Sequence, residues 1–446
     1  MGGYRPMNGH LNDIALRSHS VGKRILIVGG GLGGLMLATR LGHTFKNNNS
    51  AHVFLVDRAP VHVWKPILHT FAAGSANAHE DGVPFVAQAK QSGFTYLPGA
   101  LDSINRDKKT VTIKIDDLDD KSPIQTDVEY DVLVIATGSS ANDFGVAGVQ
   151  EHCYFIDNLW RAEQLNKALR TEIIFRSVSG GDIRIAIVGG GATGVEFAAE
   201  VARLIDVGAA YGAVDLPKRL KVMLLDAGKR ILSAFPEEIS NNVSDDLKEL
   251  GVEIINQARI TGVDTSGFLF EDGERCDAGI KVWAAGVKAV TGFTAGAGLE
   301  QNRAGQLVVN ERLQTTKDGS IFAFGDCASF TPSGSEKSLP PTGQVARQQA
   351  DYLARALPRI INGSAPKSFL YKEMGTLVSL SQYGAYGTLG QQGVLPSISL
   401  KGWTAKRAHD AFYRLHQLGL FGLWRTGVLL LRDGLNGFVK PPVRFD

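Results

Sequence analysis

The sequence predicts an α/β protein that contains two copies of one strand–turn–helix unit and ends in a basic helical segment. Residues 24–34 align with residues 184–194, 160 positions further on, as RILIVGGGLGG and RIAIVGGGATG. In both copies the apolar run is typical of a buried parallel strand, and the alanine-rich stretch after the glycines is typical of a helix. The residues near the C-terminus are also more basic than the rest of the chain, which predicts the basic segment.

Length, composition and cysteine content limit the possible functions. A chain of 446 residues is long enough for two or three domains. Its 44% hydrophobic and 21% charged residues are typical of a globular protein rather than of a disordered chain or a polytopic membrane protein. A net charge of +2 argues against a nucleic-acid binder. Because Cys153, Cys276 and Cys327 are far apart, we expect a reducing compartment, no disulfide framework and no metal site.

The N-terminal residues 1–22 are expected to form a flexible tail. A secretory signal requires an apolar stretch of about 7–15 residues, and none precedes the first strand. No run of about 18 apolar residues occurs in the chain, so we also expect no transmembrane helix.

The glycines of each copy have the spacing of a Rossmann dinucleotide-binding turn. They fall at Gly29, Gly31 and Gly34 in the first copy, and 160 positions later in the second. In such a turn the first glycine permits a tight bend and the second lets the backbone approach a pyrophosphate at a helix N-terminus. The third lets the helix and strand pack closely. A glycine-rich turn can also be purely structural, so the residues that follow it must show whether it binds a dinucleotide.

Each copy continues into a second strand that ends in an acid, Asp57 or Asp226. These carboxylates lie 28 and 37 residues after the first glycine of their motif, which is longer than the nominal ~20, so extended helices or loops must intervene. A strand-end aspartate can be a simple solvated terminus. Two such acids after the same motif favour ribose binding, and Asp226 favours NADH over NADPH, although Lys229 and Arg230 lie nearby.

Three later segments complete the pattern: residues 130–138 and 282–286 are strands that run into glycine turns, and residues 321–326 are a strand that ends in Asp326. This order resembles the superfamily of flavoproteins with two dinucleotide-binding domains, over residues 23–390. The resemblance implies two Rossmann-like domains, with a non-covalent FAD domain at 23–147 and 304–390 interrupted by an NADH domain at 148–303.

The resemblance also implies which residues bind each cofactor, with Asp326 on the ribityl chain of FAD. The implied FAD-binding residues are Gly29, Gly31, Gly33, Gly34, Asp57, Arg58, Lys65, Thr137, Gly138, Gly325, Asp326, Gly343 and Gln344. The implied NADH-binding residues are Gly189, Gly191, Thr193, Gly194, Glu196, Asp226, Ala285 and Gly286.

Several strings resemble the type II, non-proton-pumping NADH:quinone oxidoreductases, particularly the bacterial branch. They are residues 55–58, 62–69, 139–145, 189–196, 283–288, 340–348 and 413–417. This resemblance implies hydride transfer from NADH to FAD, followed by two-electron reduction of a quinone such as ubiquinone or menaquinone in a respiratory chain. Three alternatives stay open: a flavoprotein of the apoptosis-inducing-factor type, a ferredoxin reductase, and a sulfide:quinone oxidoreductase that uses Cys153 and Cys327. The absence of a closely spaced cysteine pair argues against the disulfide reductases.

Glu196 is the first candidate catalytic residue. Its counterpart in the first copy is the apolar Met36. An acid near a helix N-terminus can be there simply because its negative charge interacts favourably with the helix dipole. The family resemblance implies instead that Glu196 orients substrate or relays a proton near the nicotinamide and flavin.

Gln344 and Gln348 are the other catalytic candidates. The sequence from Gly343 is typical of a helix, with Thr342 as its N-cap, so the two amides share one helix face. An N-terminus aimed at the flavin would stabilise negative charge on its reduced form. We expect both glutamines to hydrogen-bond a quinone carbonyl, although exposed glutamines on a surface helix are the alternative. The family usually has alanine at the position of Gly343.

Residues 391–446 are expected to associate with an anionic membrane. Residues 401–446 contain eight basic and three acidic residues, a net charge of +5. On one continuous helix the four arginines at 407, 414, 425 and 432 would return to one face, with Trp, Phe and Leu between them. The alternative is an ordinary docking helix with snorkelling arginines, and Gly419, Gly422 and Gly427 leave open whether there are one or two helices. We expect a peripheral protein on the cytoplasmic face of the inner membrane if the source is bacterial, and a homodimer is among the expected assemblies.

Overall fold

The computed structural model describes residues 22–48, 50–115, 123–210, 215–389, 398–401 and 403–439. Residues 1–21 of the expected N-terminal tail lie outside this range. So do residues 391–397, 402 and 440–446 of the expected membrane-associating segment.

The described residues contain these strands, numbered in chain order: β1 (Lys23–Val28), β2 (Ala51–Asp57), β3 (Val61–His62), β4 (Val83–Pro84), β5 (Thr95–Pro98), β6 (Ala100–Asn105), β7 (Thr110–Ile115), β8 (Ile124–Glu129), β9 (Val132–Ile135), β10 (Ser139–Ala141), β11 (Tyr154–Phe155), β12 (Ile183–Val188), β13 (Leu220–Leu225), β14 (Val252–Ile255), β15 (Ile260–Val263), β16 (Gly267–Phe270), β17 (Arg275–Asp277), β18 (Ile280–Trp283), β19 (Val287–Ala289), β20 (Leu307–Val308), β21 (Gln314–Thr315), β22 (Asp318–Ala323), β23 (Ala328–Ser329), β24 (Gly375–Ser379), β25 (Ala385–Leu389) and β26 (Ile398–Lys401).

Their α-helices are α1 (Leu32–Phe45), α2 (Leu68–Ala73), α3 (Ala78–Asp81), α4 (Phe85–Ser92), α5 (Val149–His152), α6 (Leu159–Ser179), α7 (Ala192–Ala210), α8 (Leu216–Arg219), α9 (Glu237–Glu249), α10 (Gly343–Ile361) and α11 (Trp403–Val439). Three short 3₁₀ helices lie at Lys65–Ile67, Gly292–Thr294 and Gly325–Cys327.

Contacts divide the chain into two compact units. The first unit contains Met1–His62, Val83–Ser139 and Lys288–Tyr371, and the second contains Val63–Gly82, Ser140–Val287 and Lys372–Asp446. Thus residues 63–82, which precede the second repeat by a hundred positions, pack with it. The units are defined by packing alone, so the cofactor domains expected at 23–147, 148–303 and 304–390 stay a prediction.

The first unit is built on a six-stranded sheet with the order β5-β2-β1-β9-β22-β21. The strands from β5 to β22 are parallel, and Ile25 of β1 lies opposite Val53 of β2 and Val132 of β9. Strand β1 is fully buried from Ile25 to Ile27. The strand order reverses between β1 and β9, and ligands of such sheets bind in the crevice beyond the carboxyl ends at this switch point.

The second unit repeats this arrangement. Its parallel sheet has the order β14-β13-β12-β18-β11, and Ile185 of β12 lies opposite Val222 of β13 and Ile280 of β18. Strand β12 therefore has the place that β1 has in the first unit, and the order reverses between β12 and β18. The predicted α/β fold with two Rossmann-like sheets is confirmed.

The C-terminal helix α11 is broken at Gly422, where φ is +74° and ψ is 174°. The open question of one or two helices is therefore answered in favour of two pieces. The expectation of one arginine face was wrong, because it assumed an uninterrupted helix between Arg414 and Arg425. Arg414 and Arg432 instead both pair with Asp433, at 2.8 and 2.6 Å. None of the described helices is both long and apolar enough to cross a membrane.

Candidate dinucleotide sites and a buried carboxyl group

The first glycine turn follows β1 at the switch point of its sheet. Gly29 has a φ of +102°, and a Cβ atom built on Gly34 would lie only 1.8 Å from the carbonyl oxygen of Gly29. A Cβ atom built on Gly31 would meet no protein atom within 4 Å. Gly34 is thus required by the turn itself, whereas Gly31 borders open space at the N-terminus of α1. This geometry fits close approach of a dinucleotide pyrophosphate.

Asp57 holds this turn in place from the end of β2. Its carboxylate accepts hydrogen bonds from the backbone N–H of Gly30 at 2.6 Å and of Ala59 at 2.8 Å. Burial raises the pKa of Asp57 above its ordinary value. On the other side of the turn, His62 Nδ1 lies 2.9 Å from the Gly30 carbonyl oxygen, and burial lowers the pKa of His62 to about 4. His62 is therefore neutral at neutral pH. The sequence motifs gave no role to His62.

Other implied FAD residues have different surroundings in the first unit. A Cβ atom on Gly33 would lie 2.4 Å from the ring of Phe324, so Gly33 is needed for close packing of α1. Thr137 donates a hydrogen bond to the Val290 carbonyl oxygen at 2.7 Å, and a Cβ atom on Gly138 would meet open space. The side chain of Arg58 is exposed.

Asp326 is held by groups that sequence analysis missed. Its carboxylate accepts a hydrogen bond from Ser139 Oγ at 2.6 Å, and its carbonyl oxygen accepts one from Gln306 Nε2 at 3.0 Å. The N–H of Gly325 donates to Oε1 of the buried Gln349 at 2.8 Å. These partners come from distant parts of the chain, and only the strand–Gly–Asp pattern pointed to this turn.

Helix α10 starts as predicted. Thr342 is its N-cap, and its side chain accepts a hydrogen bond from the N–H of Val345. Gln344 and Gln348 are both half-buried, and Gln344 Nε2 donates to the hydroxyl of Tyr371 at 3.0 Å. Tyr371 was not among the predicted residues. Gly343 is the first residue of the helix and is exposed.

The second glycine turn, after β12, has nearly the same geometry as the first. Gly189 has a φ of +111°, a Cβ atom on Gly194 would lie 2.0 Å from the Gly189 carbonyl oxygen, and a Cβ atom on Gly191 would meet nothing within 4 Å. Asp226 accepts hydrogen bonds from the N–H of Gly190 at 2.6 Å and of Gly228 at 2.7 Å. The residues thus fit a second dinucleotide.

The remaining implied residues lie in the second unit. Thr193 is exposed near the start of α7, and Ala285 is half-buried after β18. Gly286 has a φ of +68°, and a Cβ atom there would lie 2.7 Å from the ring of Phe144. Lys65, implied to bind FAD, is half-buried at the start of a 3₁₀ helix and belongs to the second unit by its packing.

Glu196 lies on α7 and is 7% exposed. Its Oε1 accepts a hydrogen bond from the N–H of Ser379 at 3.0 Å, and its Oε2 lies 3.4 Å from Nδ1 of the buried His69. Burial, reinforced by the charge of Glu200, raises the pKa of Glu196 to about 8, although the Ser379 N–H opposes this shift. The carboxyl group is therefore largely protonated at neutral pH. A buried acid with such a perturbed pKa is a candidate proton donor.

Gln344 and Gln348 belong to the first unit and Glu196 to the second. Among the residues that the structure describes, no group of three or more His, Cys, Asp or Glu side chains could hold a metal ion.

Comparison with known proteins agrees with this geometry. Residues 23–350 match the pyridine nucleotide-disulphide oxidoreductase family model. The chain is 38% identical over 442 residues to a type II NADH:quinone oxidoreductase from Haemophilus influenzae, with 95% of this chain and 99% of that protein covered. It is 30% identical over 373 residues to the protein of the same description from Staphylococcus aureus, with 82% and 89% covered.

Solved structures have a similar fold. The NDH2 of Plasmodium falciparum, solved in complex with NADH, gives a TM-score of 0.79 at 20% identity, covering 95% of this chain and 100% of that one. The sulfide:quinone oxidoreductase of Aquifex aeolicus gives 0.70 at 20% identity, covering 94% and 96%. At this identity the structures show the fold alone, whereas the two bacterial relatives show the family. The chain belongs to the type II NADH:quinone oxidoreductase family, within the pyridine nucleotide-disulphide oxidoreductase fold.

Proposed function

We propose that this protein is a flavoenzyme that transfers a hydride from NADH to FAD and then two electrons to a quinone at a membrane surface, without pumping protons. The observation that carries this proposal is the pair of matching glycine turns, each backed by a carboxylate at 2.6 Å. Two dinucleotide sites in one chain are what electron transfer between a nicotinamide and a flavin requires. The names of the bacterial relatives support quinone as the acceptor rather than ferredoxin, a sulfide donor or a signalling role.

We assign FAD to the first turn, and thus to segments 23–147 and 304–390. Gly31 provides open space for the pyrophosphate, Asp57 binds the adenosine ribose, and Asp326 binds the ribityl chain. Bound FAD supplies the redox chemistry, accepting a hydride and releasing electrons in pairs. The protein supplies position and a fixed electrostatic environment.

We assign NADH to the second turn and to segment 148–303. Gly191 borders the open space at the N-terminus of α7, and Asp226 is placed to accept hydrogen bonds from the ribose hydroxyls. A carboxylate at this position repels the 2′-phosphate of NADPH, which favours NADH.

The catalytic residues have separate roles in this proposal. Reduction of a quinone by NADH consumes one proton from solution in addition to the hydride. Glu196 carries a proton at neutral pH, because burial raises its pKa to about 8, so it is suited to supply that proton. Gln344 and Gln348, on one face of α10, hydrogen-bond a quinone carbonyl, and the Tyr371 hydroxyl fixes the amide of Gln344 at 3.0 Å.

The second piece of α11 supports binding to a membrane surface. Four large apolar side chains on it are 83%, 51%, 66% and 60% exposed: Trp424, Val428, Leu431 and Leu435. At about 100° per residue, these four side chains lie within an arc of about 60° on one face of the helix. The exposed Arg425 lies at the edge of this face. Exposed tryptophan and leucine beside a cationic side chain are typical of a helix that lies in the interface of an anionic bilayer.

An anaerobic titration tests the enzymatic proposal. We expect NADH to bleach the flavin absorbance of the purified protein, and one equivalent of a short-chain quinone to restore it fully. Bleaching that quinone does not reverse would contradict quinone reductase activity and favour a binding flavoprotein. Restoration that depends on added ferredoxin would favour a ferredoxin reductase.

A vesicle-binding assay tests the membrane proposal. The double variant Trp424→Glu/Leu431→Glu should fail to co-sediment with anionic vesicles while it keeps FAD. Val178→Glu is the matched control, because Val178 on α6 is 89% exposed and lies outside the apolar face. Unchanged binding of the double variant, or equal loss in the control, would refute this role for α11.

We further propose that the protein sits on the cytoplasmic face of the inner membrane of a bacterium, where NADH is produced, and that it forms a homodimer. Membrane vesicles of defined orientation test the first point, because only inverted vesicles should oxidise added NADH. Light scattering of the detergent-solubilised protein tests the second, with a mass of twice 47.9 kDa expected.

A further inference from the structure

The buried carboxyl group of Glu196 contacts a histidine for which the proposed function so far has no role. His69 lies on α2, in the segment 63–82 that joins the second unit, and it is 4% exposed. Its Nδ1 atom lies 3.4 Å from Glu196 Oε2. Both side chains are therefore withdrawn from solvent and face each other.

The two oxygens of Glu196 have different partners. Oε1 accepts the backbone N–H of Ser379 at 3.0 Å, so this oxygen serves as an acceptor. A protonated carboxyl group carries its hydrogen on one oxygen, and here Oε2 is the oxygen left to carry it. The proton of Glu196 thus belongs on the atom that faces His69 Nδ1. An imidazole nitrogen can accept such a proton or return it.

Two charged groups near this pair, Glu200 and Arg203, lie on α7 itself. Glu200 is one turn away from Glu196. Its Oε2 accepts a hydrogen bond from Ser75 Oγ at 2.7 Å and lies 3.7 Å from an Arg203 nitrogen. Strand β24, which contributes the Ser379 N–H, has the sequence GTLVS and carries no titratable side chain. His69, on α2, faces Oε2 from a neighbouring element.

We propose that His69 is a positioning residue that orients Glu196 and shares one proton with its Oε2. The proposal rests on the proposed function, in which Glu196 supplies the proton consumed by quinone reduction. In balance, NADH gives two electrons and one proton as hydride, and Glu196 gives the second proton. The neutral His69 imidazole then takes one proton from solution, and the imidazolium so formed passes it to the Glu196 carboxylate, which restores the starting state. The pair then titrates as one unit.

Stopped-flow measurement of the two half-reactions tests this role with His69→Asn and His69→Leu. The asparagine amide can hold Oε2 but cannot take up its proton, and leucine does neither. We expect both variants to accept hydride from NADH within about twofold of the wild-type rate. Electron transfer to quinone should slow by about tenfold or more in both, as loss of a proton donor predicts. The KM for quinone should rise in His69→Leu only, since His69→Asn keeps Glu196 oriented.

The pH profile separates proton sharing from simple packing. Glu196 Oε2 and His69 Nδ1 hold the shared proton together, so the pair should lose this proton more easily when His69 is replaced. The alkaline decline of quinone reduction should therefore move to lower pH in both variants. His43→Asn, at an exposed position on α1, is the control and should keep the wild-type profile. A variant profile that matches the wild type, with only a lower unfolding temperature, would overturn the proposal.

Infrared spectroscopy gives a readout that does not depend on turnover. The carboxylic C=O band that Glu196→Gln removes identifies Glu196. In His69→Leu this band should move to higher frequency, because the acid has lost its hydrogen-bond acceptor, whereas His69→Asn should restore the position. An unmoved band in His69→Leu would overturn the inference. If wild-type protein fails to reduce quinone while the band responds as expected, the proposed function fails and the pairing of His69 with Glu196 stands.

Discussion

The two copies of the repeat share one turn and differ at one helix position. In both copies a strand-end aspartate holds the second of three consecutive glycines at 2.6 Å, and the first glycine has a φ of +102° or +111°. At the equivalent position of the following helix, the first copy has Met36, which is fully buried. The second copy has Glu196, which meets Ser379 and His69.

This difference indicates how the fold divides its tasks. The turn is a general device for dinucleotides, so its geometry is kept in both copies. The buried acid is a special device, because it adds a protonated group where the other copy needs only packing. The buried acid lowers the stability of the folded protein above the ordinary pKa of glutamate, because burial raises the pKa of Glu196 to about 8.

The largest expected effect comes from the glycines of the first turn. In Gly34→Ala the new Cβ would lie 1.8 Å from a backbone oxygen, so the turn must shift. We expect FAD binding at least tenfold weaker, equivalent to about 1.4 kcal/mol, and a less stable apoprotein. Gly31→Ala meets no protein atom within 4 Å, so it should weaken FAD binding but leave apoprotein stability unchanged. FAD titration and thermal melts of the apoproteins measure both.

The same pair of changes in the second turn sharpens the comparison. Gly194→Ala and Gly191→Ala should keep FAD but raise the KM for NADH. Loss of FAD in Gly191→Ala, or normal FAD binding in Gly31→Ala, would mean that the dinucleotides are not divided between the copies as proposed.

A smaller effect is expected from the acids that hold the turns. Asp226→Asn keeps an oxygen for the Gly190 N–H, but it removes the acceptor of the Gly228 N–H and the charge that attracts ribose hydroxyls. We expect the KM for NADH to rise by about tenfold and the preference over NADPH to narrow. Asp57→Asn should weaken FAD binding instead and leave the KM for NADH near the wild-type value. Steady-state kinetics at saturating FAD separates these effects, and equal effects on NADH from both variants would argue against separate sites.

The smallest expected effect is a change in thermal stability with pH. The pKa of Glu196 is about 8 in the folded protein and 4.5 for an ordinary glutamate. The unfolded chain therefore releases this proton at lower pH, and stability falls as pH rises from about 4.5 to 8. Glu196→Gln removes that loss, so its unfolding midpoint should exceed the wild-type value by several degrees at pH 8 and by less at pH 5.

Met36→Leu at the matching position of the first copy is the control for this measurement. It has no titratable group, so its midpoint should shift by the same amount at both pH values. A Glu196→Gln midpoint that follows the control at both pH values would show that Glu196 is not protonated in the folded protein.

Local signals in the sequence predicted much of the fold and of both turns. The repeat predicted the two sheets, and Thr342 predicted the start of α10, because capping and turn chemistry depend on neighbouring residues. The spacing to Asp226 is nine residues longer than the spacing to Asp57. Five of these residues lie in α7, which has 19 residues where α1 has 14, and the other four lie between the helix and the next strand.

The partners of the predicted residues could not be predicted from the sequence. His69 precedes Glu196 by 127 positions and Ser379 follows it by 183, so only the folded chain brings them together. The prediction of one arginine face on the C-terminal segment was wrong for a related reason. Periodicity assumes a continuous helix, and it does not reveal which of three glycines takes the left-handed conformation that breaks α11 at Gly422.

The central claim is that Glu196, at the helix position where the first copy has Met36, supplies the proton for quinone reduction. Double-mixing stopped flow of Glu196→Gln tests it most directly, with NADH mixed first and quinone second. We expect flavin reduction at close to the wild-type rate, followed by electron transfer to quinone that is at least about tenfold slower, as loss of a proton donor predicts. Wild-type rates in both steps would contradict the claim, and so would a defect confined to the step with NADH.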